Sequence, residues 1–143
     1  MSRYLLDTDH WTLLEHGHAP LRARLAALPS EDVAISALTV EEGLRGRLAV
    51  LSRRLDGEGR IRAYARLVET VRLFSTLPTV PFDAAAEAVF QDLHSRRLAI
   101  GTQDLKIAAV ALAHKLILVT RNRKDFGRVE GLTLEDWSAP EAE

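Results

Sequence analysis

The chain contains no cysteine, which excludes disulfides and thiolate metal sites and fits a reducing cytosol. It has no long apolar run. The longest, Ile107 to Ala113, is far too short to span a bilayer, so no membrane partner is expected. No basic leader with an apolar core precedes the first expected strand at residue 3, and the reading is of a soluble cytoplasmic protein. Net charge is also nearly lacking: at −1, the chain as a whole does not carry the strongly basic signature of a nucleic-acid binder, although a local basic face remains open. Internal repeats, linkers and low-complexity blocks are missing too. Residues 1–143 therefore read as one domain, with about 139–143 as a flexible acidic tail, and the length suffices for a real core.

What is present begins with Arg3-Tyr4-Leu5-Leu6-Asp7-Thr8-Asp9, a short apolar run that ends in an aspartate. Such a run reads as a buried strand with Asp7 at its carboxyl end, where open α/β sheets place ligands and chemistry. Burying a lone carboxylate costs several kcal/mol unless a cation or hydrogen bonds offset it. Asp7 therefore needs partners.

Beyond it, Asp9 is expected to cap a helix running to about Gly17, and a second helix spans Pro20 to Leu28. Val33 to Ser36 reads as a strand. Thr39 opens a helix striped by Val40, Leu44, Leu48, Leu51 and Leu55, and Asp56-Gly57-Glu58-Gly59 reads as a turn. A helix over Arg60 to Thr76 places Tyr64, Leu67, Val68, Val71 and Phe74 on one face. Residues 79–82 suggest an edge strand, because Pro81 argues against a central one. Asp83 caps a helix to Leu98, and an Ala-rich helix runs from Gly101 to near His114. Leu116 to Val119 is a buried strand, followed by a polar turn from Thr120 to Asp125 and a last strand at 132–134. Short apolar strands alternating with helices predict a parallel sheet covered on both faces.

Three acids share the placement of Asp7. Glu42 follows the second strand, Asp104 lies in the first turn of the Ala-rich helix, and Asp125, with Asn122, lies in the turn after the fourth strand. Each has a structural alternative. Thr39-x-x-Glu42 matches a capping box, the helix dipole favours Asp104, and Asp125 suits a turn. Crowded together, however, such carboxylates need a counter-charge, and a hard cation such as Mg²⁺ or Mn²⁺ takes oxygen ligands. Such an ion lowers the pKa of a bound water and polarises a phosphoryl oxygen, which is chemistry for cutting a phosphodiester.

With those residues in hand, the chain resembles the PIN-domain ribonucleases, and among them the VapC toxins of bacterial toxin–antitoxin pairs. Four ordered segments carry the likeness: Leu5 to Asp9, Ile35 to Glu42, Ile100 to Ala109, and Leu118 to Phe126. The second places its acid three residues after Thr39, which selects Glu42 over Glu41. The resemblance implies a three-layer α/β/α domain with a parallel sheet of about five strands, and Mg²⁺-dependent endonucleolytic cleavage of RNA with Mn²⁺ able to substitute. Asp7, Glu42, Asp104 and Asp125 would be catalytic. Asp7 and Asp104 would ligate the metal, and Glu42 would be a ligand or hold a metal-bound water. Many relatives carry aspartate where Asn122 stands, so either Asn122 or Asp125 would complete the site. Thr120 would orient that turn or fill a strand end, and with Arg121 and Arg123 it is a candidate to contact the substrate.

Sixteen arginines stand against three lysines, and eight of the arginines fall between residues 45 and 72 against three acids. Arg suits phosphate because its planar fork bonds two oxygens at once, although a solvated helix face is the plain alternative. Relatives imply an RNA substrate, a cognate antitoxin and a homodimer or higher homo-oligomer. The five histidines show no ligand spacing, and Trp11 and Trp137 read as packing residues. Two other functions compete: a catalytically inactive PIN-like module that holds RNA or a partner, and a haloacid-dehalogenase-like phosphatase. The latter wants a hydroxyl four residues after Asp7, where Trp11 stands.

Overall fold

A computed structural model describes residues 2–139; most of the tail expected at about 139–143 lies outside the described residues. Five parallel strands, β1 (Tyr4–Leu6), β2 (Val33–Ser36), β3 (Thr79–Val80), β4 (Ile117–Val119) and β5 (Leu134–Glu135), form one sheet in the order β3-β2-β1-β4-β5. Around it lie seven helices: α1 (Thr8–Glu15), α2 (Ala19–Ala26), α3 (Ala37–Leu51), α4 (Gly57–Phe74), α5 (Ala84–Ser95), α6 (Thr102–Ala113) and α7 (Arg123–Phe126).

The strands read as continuous apolar runs because both faces are covered. Side chains alternate: Leu5, Ala34 and Leu118 enter one core, with α5 and α6. Tyr4, Leu6, Val33, Ile35 and Val119 enter the other, with Trp11, Leu21 and Phe74. Alanines at 108, 109 and 111, all fully buried, let the α6 backbone lie close against its neighbours. This is the three-layer arrangement that the strand and helix pattern implies.

Chain order explains where chemistry belongs. From β1 the chain steps outward through β2 to β3, then returns to the other side of β1 as β4 and β5. The step direction reverses between β1 and β4, and in open α/β sheets the crevice outside the carboxyl ends at such a reversal is the ligand site. Asp7 follows β1 there, and Thr120 follows β4.

Several local expectations change. Asp7, not Asp9, caps α1, its side chain accepting the Thr8 N–H. Ser36, not Thr39, caps α3, accepting the Thr39 N–H, so Glu42 lies in the second turn and the capping-box reading fails. The segment 56–59 is a helix start, because the Asp56 carboxylate accepts the Gly59 N–H at 2.6 Å and α4 begins at Gly57. On α4, Phe74 is buried as expected, but Tyr64, Val68 and Val71 face outward with Ile61, and Leu48 of α3 is exposed beside them in type. The inward face of α4 is instead Ala63, Thr70 and Phe74.

Phe74 stacks on Trp11 with ring centroids 4.4 Å apart. Both rings press on Gly43 of α3, where an added Cβ would stand 2.6 Å from Phe74 Cζ and 3.3 Å from Trp11 Cη2. Gly43→Ala gains about 1 kcal/mol of helix propensity but overpacks a stacked pair, at a cost of about 1–3 kcal/mol. A net loss of about 1 kcal/mol is therefore expected in urea denaturation; a stabilised variant would show that the stack yields freely.

Candidate metal centre

Asp7 is 5% exposed, and its carboxyl is tied at both oxygens. Oδ1 accepts the Thr8 N–H at 2.8 Å, and Oδ2 accepts the Thr120 hydroxyl at 2.8 Å. The second bond spans the reversal between β1 and β4. Thr120 is fully buried, and its Oγ1 also accepts the Asn122 N–H at 3.0 Å. On the other flank, the hydroxyls of Thr8 and Thr39 are 2.9 Å apart, linking α1 to the helix that carries Glu42.

Burial pushes the Asp7 carboxyl up to about 7, and the negative charge of Asp9 adds to the rise. The bonds from Thr120 and Thr8 oppose it, and Asp104 contributes a smaller push upward. Asp104 is itself raised, first by partial burial and then by the charges of Glu42, Asp125 and Asp9. Acids from α1, α3, α6 and α7 thus act on one another across the same edge. Among the described residues, no three acidic or histidine side chains converge into a ready-made ligand cluster. The arrangement is a ring of acids sharing one field, not a closed shell.

These acids differ in how far they are engaged. Asp125 receives Asn122 Nδ2 at 3.1 Å on Oδ2 and Arg128 at 3.1 Å on Oδ1. Asn122 Oδ1 caps α7 by accepting the Asp125 N–H at 3.2 Å. By contrast, neither Glu42 nor Asp104 forms a side-chain hydrogen bond or ion pair among the described residues. Glu41, the rejected neighbour, pairs with Arg45 and accepts Gln103 Nε2 at 2.7 Å. Arg121 and Arg123 are exposed at the rim, and the Arg121 N–H donates to Asp9 Oδ2 at 3.2 Å.

Two residues of this network escaped the sequence reading. By sequence Asp9 reads as a helix cap and His10 has no ligand spacing, yet the charge of Asp9 raises Asp7 and the His10 ring is bonded to Asp9. The signal was there in part: a second acid two residues after Asp7 sits in the first turn of the following helix. Trp11, the residue four after Asp7, is buried in the aromatic stack, so no hydroxyl stands where the phosphatase alternative needs one.

A carboxylate donor set fits a hard divalent cation and not a soft one. A buried carboxyl whose neighbours repel its charge is a group that a cation would relieve.

A parallel α/β sheet with acids gathered at its reversal point defines an α/β protein with a carboxylate centre suited to a hard cation. The chain matches the PIN domain over residues 4–132 and belongs to that family. It is 39% identical over 74 residues to the ribonuclease VapC1 of Rickettsia felis, covering 51% of this chain and 55% of that protein. With that relative, then, the match spans about half its length. The ribonuclease VapC1 of Haemophilus influenzae (strain R2866) is 28% identical over 137 residues, 94% of this chain and 98% of that one. The crystal structure of DNA-bound VapBC from Salmonella typhimurium superposes with a TM-score of 0.76 at 25% identity, covering 96% of this chain and 99% of that one.

In metal-free protein, folded Asp7 keeps its proton to about pH 7, whereas its ordinary value is 3.8. Between those values the folded state binds more protons than the unfolded one, so this group costs stability as pH rises from about 4 to 7. Asp7→Asn cannot ionise and escapes that loss. Unfolding free energies of the two proteins from urea denaturation are expected to converge near pH 4 and to separate toward pH 7 in favour of Asn, by up to about 4 kcal/mol. Parallel profiles would show that Asp7 ionises freely.

Proposed function

We propose that this chain is a metal-dependent endoribonuclease of VapC type, the toxin of a toxin–antitoxin pair acting in the cytoplasm. The observation that carries the reading is the buried Asp7, oriented from both sides and repelled by Asp104, which is in turn repelled by Glu42; among the described residues neither Asp104 nor Glu42 has a side-chain partner. A structural acid is satisfied by its neighbours; these are held in mutual repulsion, at a cost a cation would remove. The names of the PIN relatives, ribonucleases VapC1, agree with it.

Asp7 and Asp104 would hold Mg²⁺, or Mn²⁺ in its place, with Glu42 beside them and Asn122 as a further oxygen donor. When bound, such an ion polarises a phosphoryl oxygen and lowers the pKa of water. The chain's own groups do the rest. Thr8 and Thr120 fix the Asp7 carboxylate, so Thr120 serves by orienting Asp7 and not by touching the substrate. Glu42 would be a further ligand or hold a metal-bound water and take its proton. Asp125, braced by Asn122 and Arg128, adds negative charge without moving.

A groove of about 360 Å³ runs beside Glu42, lined by Thr8, Thr12 and Gly46 and by Arg47 and Arg66, which both pair with Glu15 in the same wall. We assign to it the neighbouring nucleotides of the RNA. Arg121 and Arg123, exposed in and just after the turn that follows β4, suit its phosphates. On the outer face, Ile61, Tyr64, Val68 and Val71 expose between 46% and 73% of their surface along one stripe of α4. Such a stripe is suited to an apolar partner face, and it supports a cognate antitoxin, with a second copy of the chain as the other occupant.

Asp7→Asn and Asp104→Asn are each expected to cut metal-dependent RNA cleavage by more than about 100-fold, beyond the 10–100-fold typical of groups that only support a ligand. Their circular dichroism should match the wild type, and Mn²⁺ uptake by calorimetry should fall with activity. Cleavage at the wild-type rate by either variant overturns the assignment. Absence of any Mn²⁺ uptake that depends on both Asp7 and Asp104 would favour the binding-module alternative.

A further inference from the structure

His10 is fully buried and has no part in the roles above. Its ring is engaged at both nitrogens. Nε2 accepts the backbone N–H of Trp137 at 3.1 Å, with Asp136 Oδ1 at 3.5 Å. Nδ1 lies 2.7 Å from Asp9 Oδ1. A backbone N–H can only donate, so the lone pair is on Nε2 and the proton is on Nδ1, donated to Asp9. The other oxygen of Asp9 accepts the Arg121 N–H at 3.2 Å and lies 3.3 Å from the Thr120 hydroxyl, which donates at 2.8 Å to Asp7.

A connected path therefore runs from the chain beyond β5, through His10 and Asp9, to the turn after β4 that orients Asp7. Any buried histidine needs both nitrogens satisfied; what sets His10 apart is that its donor side ends on Asp9, an acid that also holds the turn after β4. We propose that His10 is a positioning residue for the carboxylate centre. Its Nδ1–H fixes Asp9, Asp9 holds the Thr120–Arg121 turn, and that turn aims the Asp7 carboxylate. The inference rests on the nuclease reading above and adds to it a residue that touches neither metal nor substrate.

The two ends of the ring can be tested apart. Asparagine places an amide donor near the Nδ1 position, so His10→Asn keeps the link to Asp9 and drops the anchor to Trp137. Glutamine reaches the Nε2 position, so His10→Gln keeps an acceptor for Trp137 and drops the link to Asp9. For a positioning role, His10→Gln loses about 10–100-fold in kcat on an RNA oligonucleotide that the wild type cuts, with KM unchanged and Mn²⁺ affinity reduced. His10→Asn stays within about threefold of wild type in kcat although it melts at a lower temperature than His10→Gln. Asp9→Ala, which breaks the path from its other end, is expected to follow His10→Gln. The amide proton of Arg121 should shift in His10→Gln and stay in place in His10→Asn, a readout that needs no activity. The proposal is overturned if kcat follows melting temperature across the set, or if the Arg121 amide responds equally to both variants. Absence of Asp7-dependent cleavage in the wild type would instead overturn the nuclease reading, and the Arg121 amide would still decide the role of His10.

Discussion

The hydrogen bond from the Thr120 hydroxyl to Asp7 Oδ2 joins the ends of two strands that are neighbours in space and far apart in the chain. Everything at the carboxyl edge is organised around it. Asp7 N–H reaches the Val119 carbonyl at 2.9 Å, so backbone and side chain together close the end of the β1–β4 pair. The reversal of strand order at this place opens the crevice, and the hydroxyl decides how the carboxylate faces into it.

Around that bond the acids divide into two kinds. Asp9 and Asp125 are held by donors, His10 and Arg121 for the first, Asn122 and Arg128 for the second. Among the described residues Glu42 and Asp104 stand without such donors, and the repulsion among the acids is what lifts Asp104 beyond the effect of its burial. Held acids keep the field negative in a fixed place, while unheld ones leave oxygens open. That division supports a cation site better than four equivalent carboxylates would, because fixed negative charge lowers the cost of bringing in the cation without consuming its ligand positions.

The helices on the other flank are arranged with a different economy. Arg47 on α3 bonds Glu15 of α1 at 2.6 Å and Thr70 of α4 at 2.9 Å, and the Trp11–Phe74 stack fills the space between the same helices. One bridge and one stack bind three helices, so the core does not need all the apolar residues of α4. Those left over form the outward stripe. Two of the clustered arginines are likewise paired within the chain: Arg47 with the largely buried Glu15, and the exposed Arg45 with Glu41 one turn away.

Strand positions, the covered parallel sheet and the acids after β1, β2 and β4 were legible in the sequence. A fully buried strand must be apolar throughout, and a residue that follows a strand is fixed at its carboxyl edge by covalent geometry alone. The faces of α3 and α4 were not legible, since an apolar stripe looks the same whether it packs inward or awaits a partner. Nor was the choice of helix caps, where Ser36 and Asp7 displaced Thr39 and Asp9. Only the tertiary structure, by seating β1 between β2 and β4, brought Thr120 to Asp7 and Asp9 to Arg121, and set the charges of Asp104 against Asp7 and of Glu42 against Asp104. Those contacts depend on helix phase and strand order, which short-range patterning does not encode, because their energies arise between residues more than a hundred positions apart in the chain.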